Sequence, residues 1–366
     1  MIKKYFGKLD YGIIASVIVL IAIGLVSLYS ASHGAFSNAG EFTKQIRWVI
    51  AGGIAFFACS LVDYKYLKKV SLVVYIVMII LLIAVLFSPQ NNGATSWFKV
   101  GRMSFQPAEF SKIAIIIVLA KLIESFENTE NLNKPSNFIL MGIIIAIPVV
   151  LIVMQPDYGT ALVILAFSAL MIFMGGIKIR YIILAFVLGI LAMPIVYNTI
   201  LPEHAKKRIE VFFNPSLDPS GAGYNVIQSE LAVGAGELTG MGFLNGNQTQ
   251  LGTLPMKTTD FIFAVISEEF GFVVSTIVIT LYVLMLLRLL HIAKISKDKF
   301  GEIVCIGTFA MILFHVIENI GMCMGILPVT GIPLPLISYG GSSMLTNMVL
   351  LGTCESISVH RKKHLL

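Results

Sequence analysis

Long apolar runs alternate with shorter polar segments along most of this 366-residue chain. A membrane-spanning helix needs about 20 mainly apolar residues, and ten runs approach or exceed that length. They cover residues 11–31, 46–62, 70–88, 107–124, 136–154, 158–175, 180–198, 260–287, 301–325 and 337–358. Because no run shows the alternation of a β-barrel strand, the pattern predicts an all-α polytopic membrane protein with about ten transmembrane helices.

One polar, glycine-rich segment, at about residues 198–260, is much longer than the others and separates the seventh run from the eighth. No segment is long enough to bury a soluble core of its own. We therefore expect residues 1–366 to form a single transmembrane domain with one long loop between spans 7 and 8.

The composition supports this class of protein. Hydrophobic residues make up 57% of the chain, charged residues 13%, and the mean hydropathy is +0.88, which exceeds the apolar share of ordinary soluble domains. The net charge of +6 needs no nucleic-acid partner, because basic residues concentrate in short loops. The four cysteines lie in or near apolar runs without metal-type spacing and are interpreted as packing residues.

The distribution of basic residues predicts the orientation. With the N-terminus in the cytoplasm, seventeen of the 26 Lys and Arg residues fall in inside segments and eight in outside segments. The positive-inside rule then places both termini in the cytoplasm and the long loop outside. The basic start could also introduce a cleavable signal peptide, but the first run is longer than a signal-peptide core, so an uncleaved span is preferred.

Asp260 ends the long loop and directly precedes the eighth apolar run. A carboxylate at a membrane boundary faces headgroups or a water-filled cavity, which makes it a functional-site hypothesis. An alternative is that Asp260 is the N-cap of the following helix. Position alone does not separate the two interpretations.

Further charged residues occur at the ends of spans or inside them. Glu109 and Lys112 are three residues apart, so they predict an ion pair that fixes a helix or, alternatively, part of a polar cavity wall. Asp157 lies at the start of a span and is interpreted mainly as a helix cap. A second group, which we expect to face the bundle interior and to form interhelical hydrogen bonds, comprises Glu268, Glu269, His315, Glu318 and Asn319.

Positive charge also lies on the predicted outer face. Arg102, Arg208 and Lys257 either reach toward lipid headgroups or contact an anionic substrate such as a lipid diphosphate. Trp97 is either an interfacial belt residue or part of the same site. Near the C-terminus, Pro328, Pro333 and Pro335 interrupt an apolar region, which predicts irregular backbone that dips into the bundle.

Several ordered motifs resemble the SEDS family of polytopic glycosyltransferases. They are Gly-Ala-Thr-Ser-Trp-Phe at 93–98, Phe-Gln-Pro-Ala-Glu-Phe-Ser-Lys at 105–112, Gln-Pro-Asp-Tyr-Gly-Thr at 155–160, Gly-Ala-Gly-Tyr-Asn at 221–225, Thr-Asp-Phe-Ile-Phe-Ala at 259–264, Gly-Ile-Pro-Leu-Pro at 331–335 and Ser-Tyr-Gly-Gly-Ser at 338–342. The motifs span most of the chain. Within the family, the short tails and the motif at 221–225 are most similar to the rod-shape (elongation) branch.

The resemblance implies an enzyme of the bacterial cytoplasmic (inner) membrane, a peptidoglycan glycosyltransferase that polymerises lipid II on the outer face. It implies inversion at the sugar and undecaprenyl diphosphate as leaving group, without a nucleotide. Asp260 matches the essential acid of the family and would act as general base or as ligand to a divalent cation such as Mg or Mn. Substrate contacts are expected from Trp97, Arg102, Glu109, Lys112, Asp157, Arg208 and Lys257.

The family also implies partners and alternatives. Expected partners are lipid II, membrane lipids, a class B penicillin-binding protein that acts as transpeptidase, and other members of the cell-wall elongation complex. The alternative functions are a lipid II flippase, which would form no bond, and a noncatalytic scaffold of the elongation complex. The sequence offers no nucleotide-binding loop, so any reaction must use an already activated substrate.

Overall fold

The computed structural model describes residues 7–32, 40–88, 96–100, 103–126, 132–200, 203–214, 217–218 and 221–361. The α-helices of the described residues are α1 (Tyr11–Ala31), α2 (Glu41–Leu61), α3 (Lys65–Val85), α4 (Pro107–Ser125), α5 (Pro135–Val153), α6 (Tyr158–Gly175), α7 (Ile179–Ile195), α8 (Glu203–Phe213), α9 (Ala222–Ala235), α10 (Asn247–Gln250), α11 (Ile262–Ile295), α12 (Lys299–Cys323) and α13 (Gly341–Val359). Strands β1 (Phe98–Val100) and β2 (Met103–Phe105) form an antiparallel hairpin.

Each of the ten predicted apolar runs coincides with one of these helices. Six of them, α1, α3, α5, α6, α11 and α12, are long and apolar enough to cross a membrane. Helix α4 carries four charged residues, α2 begins with three, and α13 is rich in Ser and Thr. These polar groups exclude three of the remaining helices, and α7, although apolar, is only 17 residues long. The count of about ten spans therefore stays a prediction.

The predicted loop at about 198–260 has more regular structure than its polarity indicated. It contains a five-residue π-helical segment at Val196–Ile200 and the helices α8, α9 and α10. Helix α8 is amphipathic, the pattern of a helix that lies against a surface rather than across a membrane. The hairpin of β1 and β2 is a further departure from an all-helical fold.

Helix α12 is the centre of the bundle. It packs against α11, α6 and α4 and also contacts α9 and α13. Its buried side chains include His315, Glu318 and Asn319, which confirms that these polar residues face the interior. The cysteines Cys305, Cys323 and Cys354 are buried as free thiols, as expected for packing residues.

Helix α11 is broken at Gly271, whose φ of 72° is a left-handed conformation that side chains disfavour. The break frees backbone groups, and the loop after α9 satisfies them. The N–H groups of Met241 and Gly242 donate to the carbonyls of Glu268 and Glu269 at 2.9 and 3.0 Å. The loop after α9 is thereby hydrogen-bonded to a helix of the bundle.

The side chains of Glu268 and Glu269 strengthen this attachment. Glu268 accepts from the N–H groups of Gln248 and Thr249 at 2.6 and 3.0 Å, so it caps α10 from another helix. Glu269 accepts from the Ser30 hydroxyl on α1 at 2.5 Å. The predicted interhelical hydrogen bonding of these glutamates is confirmed.

Residues 324–340, between α12 and α13, form a non-helical segment that we call the re-entrant segment. Its residues Ile332, Leu334, Leu336 and Ile337 are almost fully buried. Irregular backbone at such a depth requires protein partners for its polar groups. The predicted dip into the bundle is confirmed. One side chain that donates to a carbonyl of this segment also donates to the carbonyl of Asp260.

We predict that Gly236→Ala destabilises the attachment of the loop. The backbone of Gly236 is right-handed helical, but an added Cβ would collide with the Ser267 carbonyl of α11, and overpacking of this kind costs about 1 to 3 kcal/mol. Gly234→Ala is the matched control, because its added Cβ would meet open space. Thermal unfolding in detergent should show a lower midpoint for Gly236→Ala alone; equal midpoints for the two variants would contradict the packing.

Candidate active site

Asp260 lies just before α11, but it does not cap the helix. The N-cap position is occupied by Phe261, and no side chain forms a cap hydrogen bond there. The N-cap alternative for Asp260 is therefore wrong: the helix begins at Ile262, one residue later than capping by Asp260 requires. Asp260 is half-buried, and its carboxylate is left available for another role.

The backbone around Asp260 is held by hydrogen bonds from two other elements. The Asn319 amide on α12 donates to the carbonyls of Asp260 at 2.8 Å and of Ile332 at 2.7 Å. The Ser338 hydroxyl donates to the Thr259 carbonyl at 2.6 Å. Asp260 is thus fixed between α12 and the re-entrant segment.

Gly331 brings the re-entrant segment close to the Asp260 side chain. Its φ is +77°, and a Cβ added there would lie 3.5 Å from Asp260 Oδ2. On the other side of this turn, a Cβ on Gly159 of α6 would lie 2.9 Å from the Thr330 carbonyl. Two glycines therefore let the start of α6, the turn at Thr330 and Gly331, and Asp260 approach one another.

The surroundings of Asp260 alter its basicity. Burial by the surrounding protein raises its pKa above the ordinary value for an aspartate, while a hydrogen bond from Thr259 and the positive charge of Arg208 oppose the shift. The negative charge of Asp157 acts in the same direction as burial. A carboxylate with a raised pKa is a stronger proton acceptor than a free one.

Asp157 caps α6, as predicted: its Oδ1 accepts from the Thr160 N–H at 3.1 Å. Its Oδ2 accepts from the Gln106 side chain at 3.0 Å, so the cap also connects α6 to the start of α4. Burial raises the pKa of Asp157, and the charges of Glu109 and Lys112 act on it with opposite signs. The charges of that pair therefore act on Asp157, and the charge of Asp157 in turn raises the pKa of Asp260.

Glu109 and Lys112 form the predicted ion pair, with 2.8 Å between Lys112 Nζ and Glu109 Oε1. The two side chains are only 4% and 1% exposed, so their charges have little solvent to stabilise them. Lys112 Nζ also lies 3.0 Å from His315 Nε2 on α12. This contact confirms that His315 takes part in interhelical hydrogen bonding.

Arg208 and Lys257, both predicted to contact the substrate, lie in different surroundings in the structure. Arg208 on α8 is exposed, its Nη1 lies 3.5 Å from the Val329 carbonyl, and its charge acts on Asp260. Lys257 instead donates to the Thr249 carbonyl at 2.6 Å. Burial lowers the pKa of Lys257, while Glu269, Glu268 and Glu41 oppose the shift.

Trp97 and Arg102 are the remaining basic and aromatic residues of the predicted site. Arg102 lies outside the described residues. Trp97 is half-buried just before β1, and the preceding Ser96 donates to the Gln155 carbonyl at 3.0 Å. This bond attaches the Trp97 segment to the turn that carries Asp157.

Within the part of the chain that the structure describes, no three His, Cys, Asp or Glu side chains form a group that could hold a metal ion. Asp260 offers a single carboxylate. Mg²⁺ commonly binds through one or two carboxylates and takes its other ligands from water and substrate phosphates. The site therefore fits a cation that a phosphate-bearing substrate shares, rather than a cage built by the protein.

Sequence reasoning missed the supporting roles of three residues. Gln106 joins α4 to α6 through Asp157, and its N–H donates to the Ser342 hydroxyl at 3.0 Å. Ser338 holds the Thr259 carbonyl, and Gly331 admits the Asp260 carboxylate. Their positions within the recurring motifs were visible, but their partners lie far away in sequence.

The fold and site define a polytopic membrane protein with an acid fixed between one helix of its bundle and the re-entrant segment. A family model described as a cell cycle protein, covering FtsW, RodA and SpoVE, matches residues 11–363. The chain belongs to this family, the SEDS family, and is RodA-like.

Relatives match along almost the full length. The chain is 35% identical over 363 residues to peptidoglycan glycosyltransferase MrdB of Escherichia coli K12, covering 98% of this chain and 96% of that protein. It is 36% identical over 359 residues to stage V sporulation protein E of Bacillus subtilis, covering 95% and 96%. A chain from a peptidoglycan synthase complex that coordinates polymerization and crosslinking superposes with a TM-score of 0.83 at 29% identity, covering 97% and 99%.

We predict that Lys112→Met destabilises the bundle strongly, because it leaves the Glu109 carboxylate buried without its cation, and breaking a buried pair costs about 3 to 5 kcal/mol. The double variant Glu109→Gln/Lys112→Met should lose less than the sum of the two single losses. Unfolding midpoints measure both effects. The control is Lys121→Met, a half-buried lysine on the same helix; an equal loss in Lys121→Met and Lys112→Met would refute the role of the pair.

Proposed function

We propose that this chain is a peptidoglycan glycosyltransferase that polymerises lipid II on the outer face of the bacterial cytoplasmic membrane. The observation that supports this most directly is the placement of Asp260. Its carbonyl accepts from Asn319 on α12, and the carbonyl of the preceding Thr259 accepts from Ser338 of the re-entrant segment. Asp260 itself is half-buried, and the charges of Arg208 and Asp157 act on its carboxylate. Full-length relatives that carry the name peptidoglycan glycosyltransferase support the reaction class.

Asp260 acts in this proposal as the general base. It accepts the proton of the acceptor sugar hydroxyl, and the hydroxyl oxygen forms a bond to the anomeric carbon of the donor. The bond from that carbon to the diphosphate oxygen breaks, and undecaprenyl diphosphate leaves with the electron pair. One in-line displacement inverts the configuration, as in inverting glycosidases, so no covalent enzyme intermediate is needed.

The basic residues have separate tasks. Arg208, exposed and close enough to act on Asp260, is the proposed contact for the diphosphate, since a guanidinium binds phosphate oxygens in a fork geometry. Lys112 and Glu109 form the inner wall of the site. Lys257, directed at Thr249, supports the loop that precedes Asp260, while Arg102 stays a predicted diphosphate contact.

A divalent cation, Mg²⁺ or Mn²⁺, is part of the proposal, and Asp260 is the residue that would hold it. When bound, it would neutralise charge that develops on the leaving group. The proton transfer to Asp260 and the contact from Arg208 do not depend on it. No nucleotide is required, because the donor already carries its leaving group.

The proposed setting is a multi-pass protein with both termini in the cytoplasm, associated with a class B penicillin-binding protein. Likeness to a chain of a peptidoglycan synthase complex supports such a partner. Other members of the elongation complex and the surrounding lipids complete the proposed environment. Transport of lipid II and scaffolding are the competing functions, and each predicts that no glycan forms.

We predict that Asp260→Asn lowers polymerisation by about 100-fold or more, the typical contribution of general base catalysis. The assay supplies labelled lipid II to the purified chain with its transpeptidase partner and measures glycan length. Glu210→Gln, which removes an exposed acid from the same outer segment, should leave the product unchanged. Polymer from Asp260→Asn at the wild-type rate would exclude this base, and no polymer from the wild-type complex would favour transport or scaffolding.

We also predict a shift of the pH profile in Arg208→Gln. The charge of Arg208 lowers the pKa of Asp260, so its removal raises that pKa. Because a base works only when it is ionised, the acid limb of the activity profile should move to higher pH. Lys206→Gln, on the same helix but paired with Glu203 at 3.2 Å, is the control, and an unmoved limb in Arg208→Gln would contradict the coupling.

A further inference from the structure

His315 lies between the Glu109–Lys112 pair and the re-entrant segment, and the reaction proposed above gives it no role. It is only 1% exposed. Its Nε2 lies 3.0 Å from Lys112 Nζ, and its Nδ1 lies 3.3 Å from the Pro333 carbonyl oxygen. A single imidazole thus spans the space between α4 and the re-entrant segment.

The chemistry of the two contacts determines which nitrogen carries the proton. An ammonium group only donates hydrogen bonds and a carbonyl oxygen only accepts them. His315 Nε2 therefore accepts from Lys112, and the Nδ1–H donates to Pro333. This arrangement requires a neutral ring with its proton on Nδ1, and it fixes the orientation of the ring.

Asn319 extends this connection toward the site. It is one helical turn after His315 on the same face of α12, and it donates to the carbonyls of Ile332 and Asp260. The adjacent carbonyls of Ile332 and Pro333 are therefore both held by α12. Lys112 and Asp260 are positioned by the same two turns of one helix.

Lys112 has one N–H donor left over. The described contacts use one donor on Glu109 and one on His315, and an ammonium group has three. With two directions fixed, the third direction is fixed as well. In the proposed site, this third N–H is the donor for an oxygen atom of the bound substrate.

We propose that His315 is a positioning residue for the glycosyl transfer: it orients the Lys112 ammonium and keeps it in register with Asp260. The inference rests on the proposed function. A misplacement of about 1 Å at a reacting centre can lower a rate about 100-fold, so the loss of this single acceptor has a measurable effect on turnover.

Two conservative variants test the contacts of His315 with Lys112 and with Pro333 separately. In His315→Gln the amide oxygen reaches the place of Nε2 and still accepts from Lys112. In His315→Asn the amide N–H takes the place of Nδ1 and still donates to Pro333, but Lys112 loses its acceptor. His315→Phe removes both contacts, and Ile317→Val, at a position 50% exposed on the same helix, is the matched control.

The measurement is steady-state polymerisation of labelled lipid II by the purified chain with its transpeptidase partner, with kcat and KM determined separately. We expect Ile317→Val and His315→Gln to retain most of the wild-type kcat. We expect His315→Asn and His315→Phe to lose about 100-fold, chiefly in kcat, with unfolding midpoints of the Gln and Asn variants close to each other. If the Phe variant does not fold, the Gln and Asn pair alone decides.

Equal kcat in the Gln and Asn variants, whether full or lost, would overturn the positioning role. This result is distinguishable from a failure of the proposed function. Wild-type complex that makes no glycan would overturn the proposed function and this inference together, whereas active wild type with equal Gln and Asn variants would overturn only the role of His315.

Discussion

The side-chain amide of Asn319 donates to two carbonyl oxygens from distant parts of the chain, those of Asp260 and Ile332. A backbone carbonyl that is buried in the bundle and left without a donor costs several kcal/mol. The chain around Asp260 and the re-entrant segment must therefore meet where α12 carries this amide. The position of the candidate base follows from that requirement more than from any contact of its own carboxylate.

Several charged side chains near the Asn319 hydrogen bonds act on Asp157 and Asp260. The buried pair Glu109–Lys112 acts on Asp157, and Asp157 together with Arg208 acts on Asp260. Burial raises the pKa of Asp260, and the exposed guanidinium of Arg208 limits the shift. A carboxylate in such surroundings is more basic than a free aspartate but remains beside a cation that favours its ionised form.

The long loop before Asp260 is coupled to the same helix bundle by a break in α11. Gly271 interrupts the helix, and the freed carbonyls of Glu268 and Glu269 are taken up by the loop after α9. Both glutamate side chains then bind further loop and helix groups. The loop that leads from α9 to Asp260 is therefore held by hydrogen bonds at two places, at the break in α11 and at Thr259 and Asp260.

The sequence predicted the elements of this architecture whose causes are local. Apolar runs located the helices, spacing of three residues paired Glu109 with Lys112, and Asp157 before a span indicated a cap. Contacts between distant residues, such as Gln106 with Asp157 or Ser338 with Thr259, could not be inferred from one sequence, because no local pattern encodes them.

Two further differences have physical reasons. Asp260 is not the N-cap, since α11 starts after Phe261 and Gly331 makes room for the carboxylate elsewhere. Lys257 is three residues from Asp260, yet its side chain turns to Thr249. The polar segment before them was predicted only as a loop, because amphipathic helices such as α8 lack the long apolar run that marks a span.

The central claim is that Asp260 receives a proton from the acceptor sugar at the junction of α11, α12 and the re-entrant segment. The most direct test is a cryo-electron microscopy structure of the chain with its transpeptidase partner and a non-reactive lipid II analogue bound. The account predicts the acceptor hydroxyl within about 3 Å of an Asp260 carboxylate oxygen. A sugar bound on the cytoplasmic side, or one that leaves Asp260 in contact only with acyl chains, would contradict it.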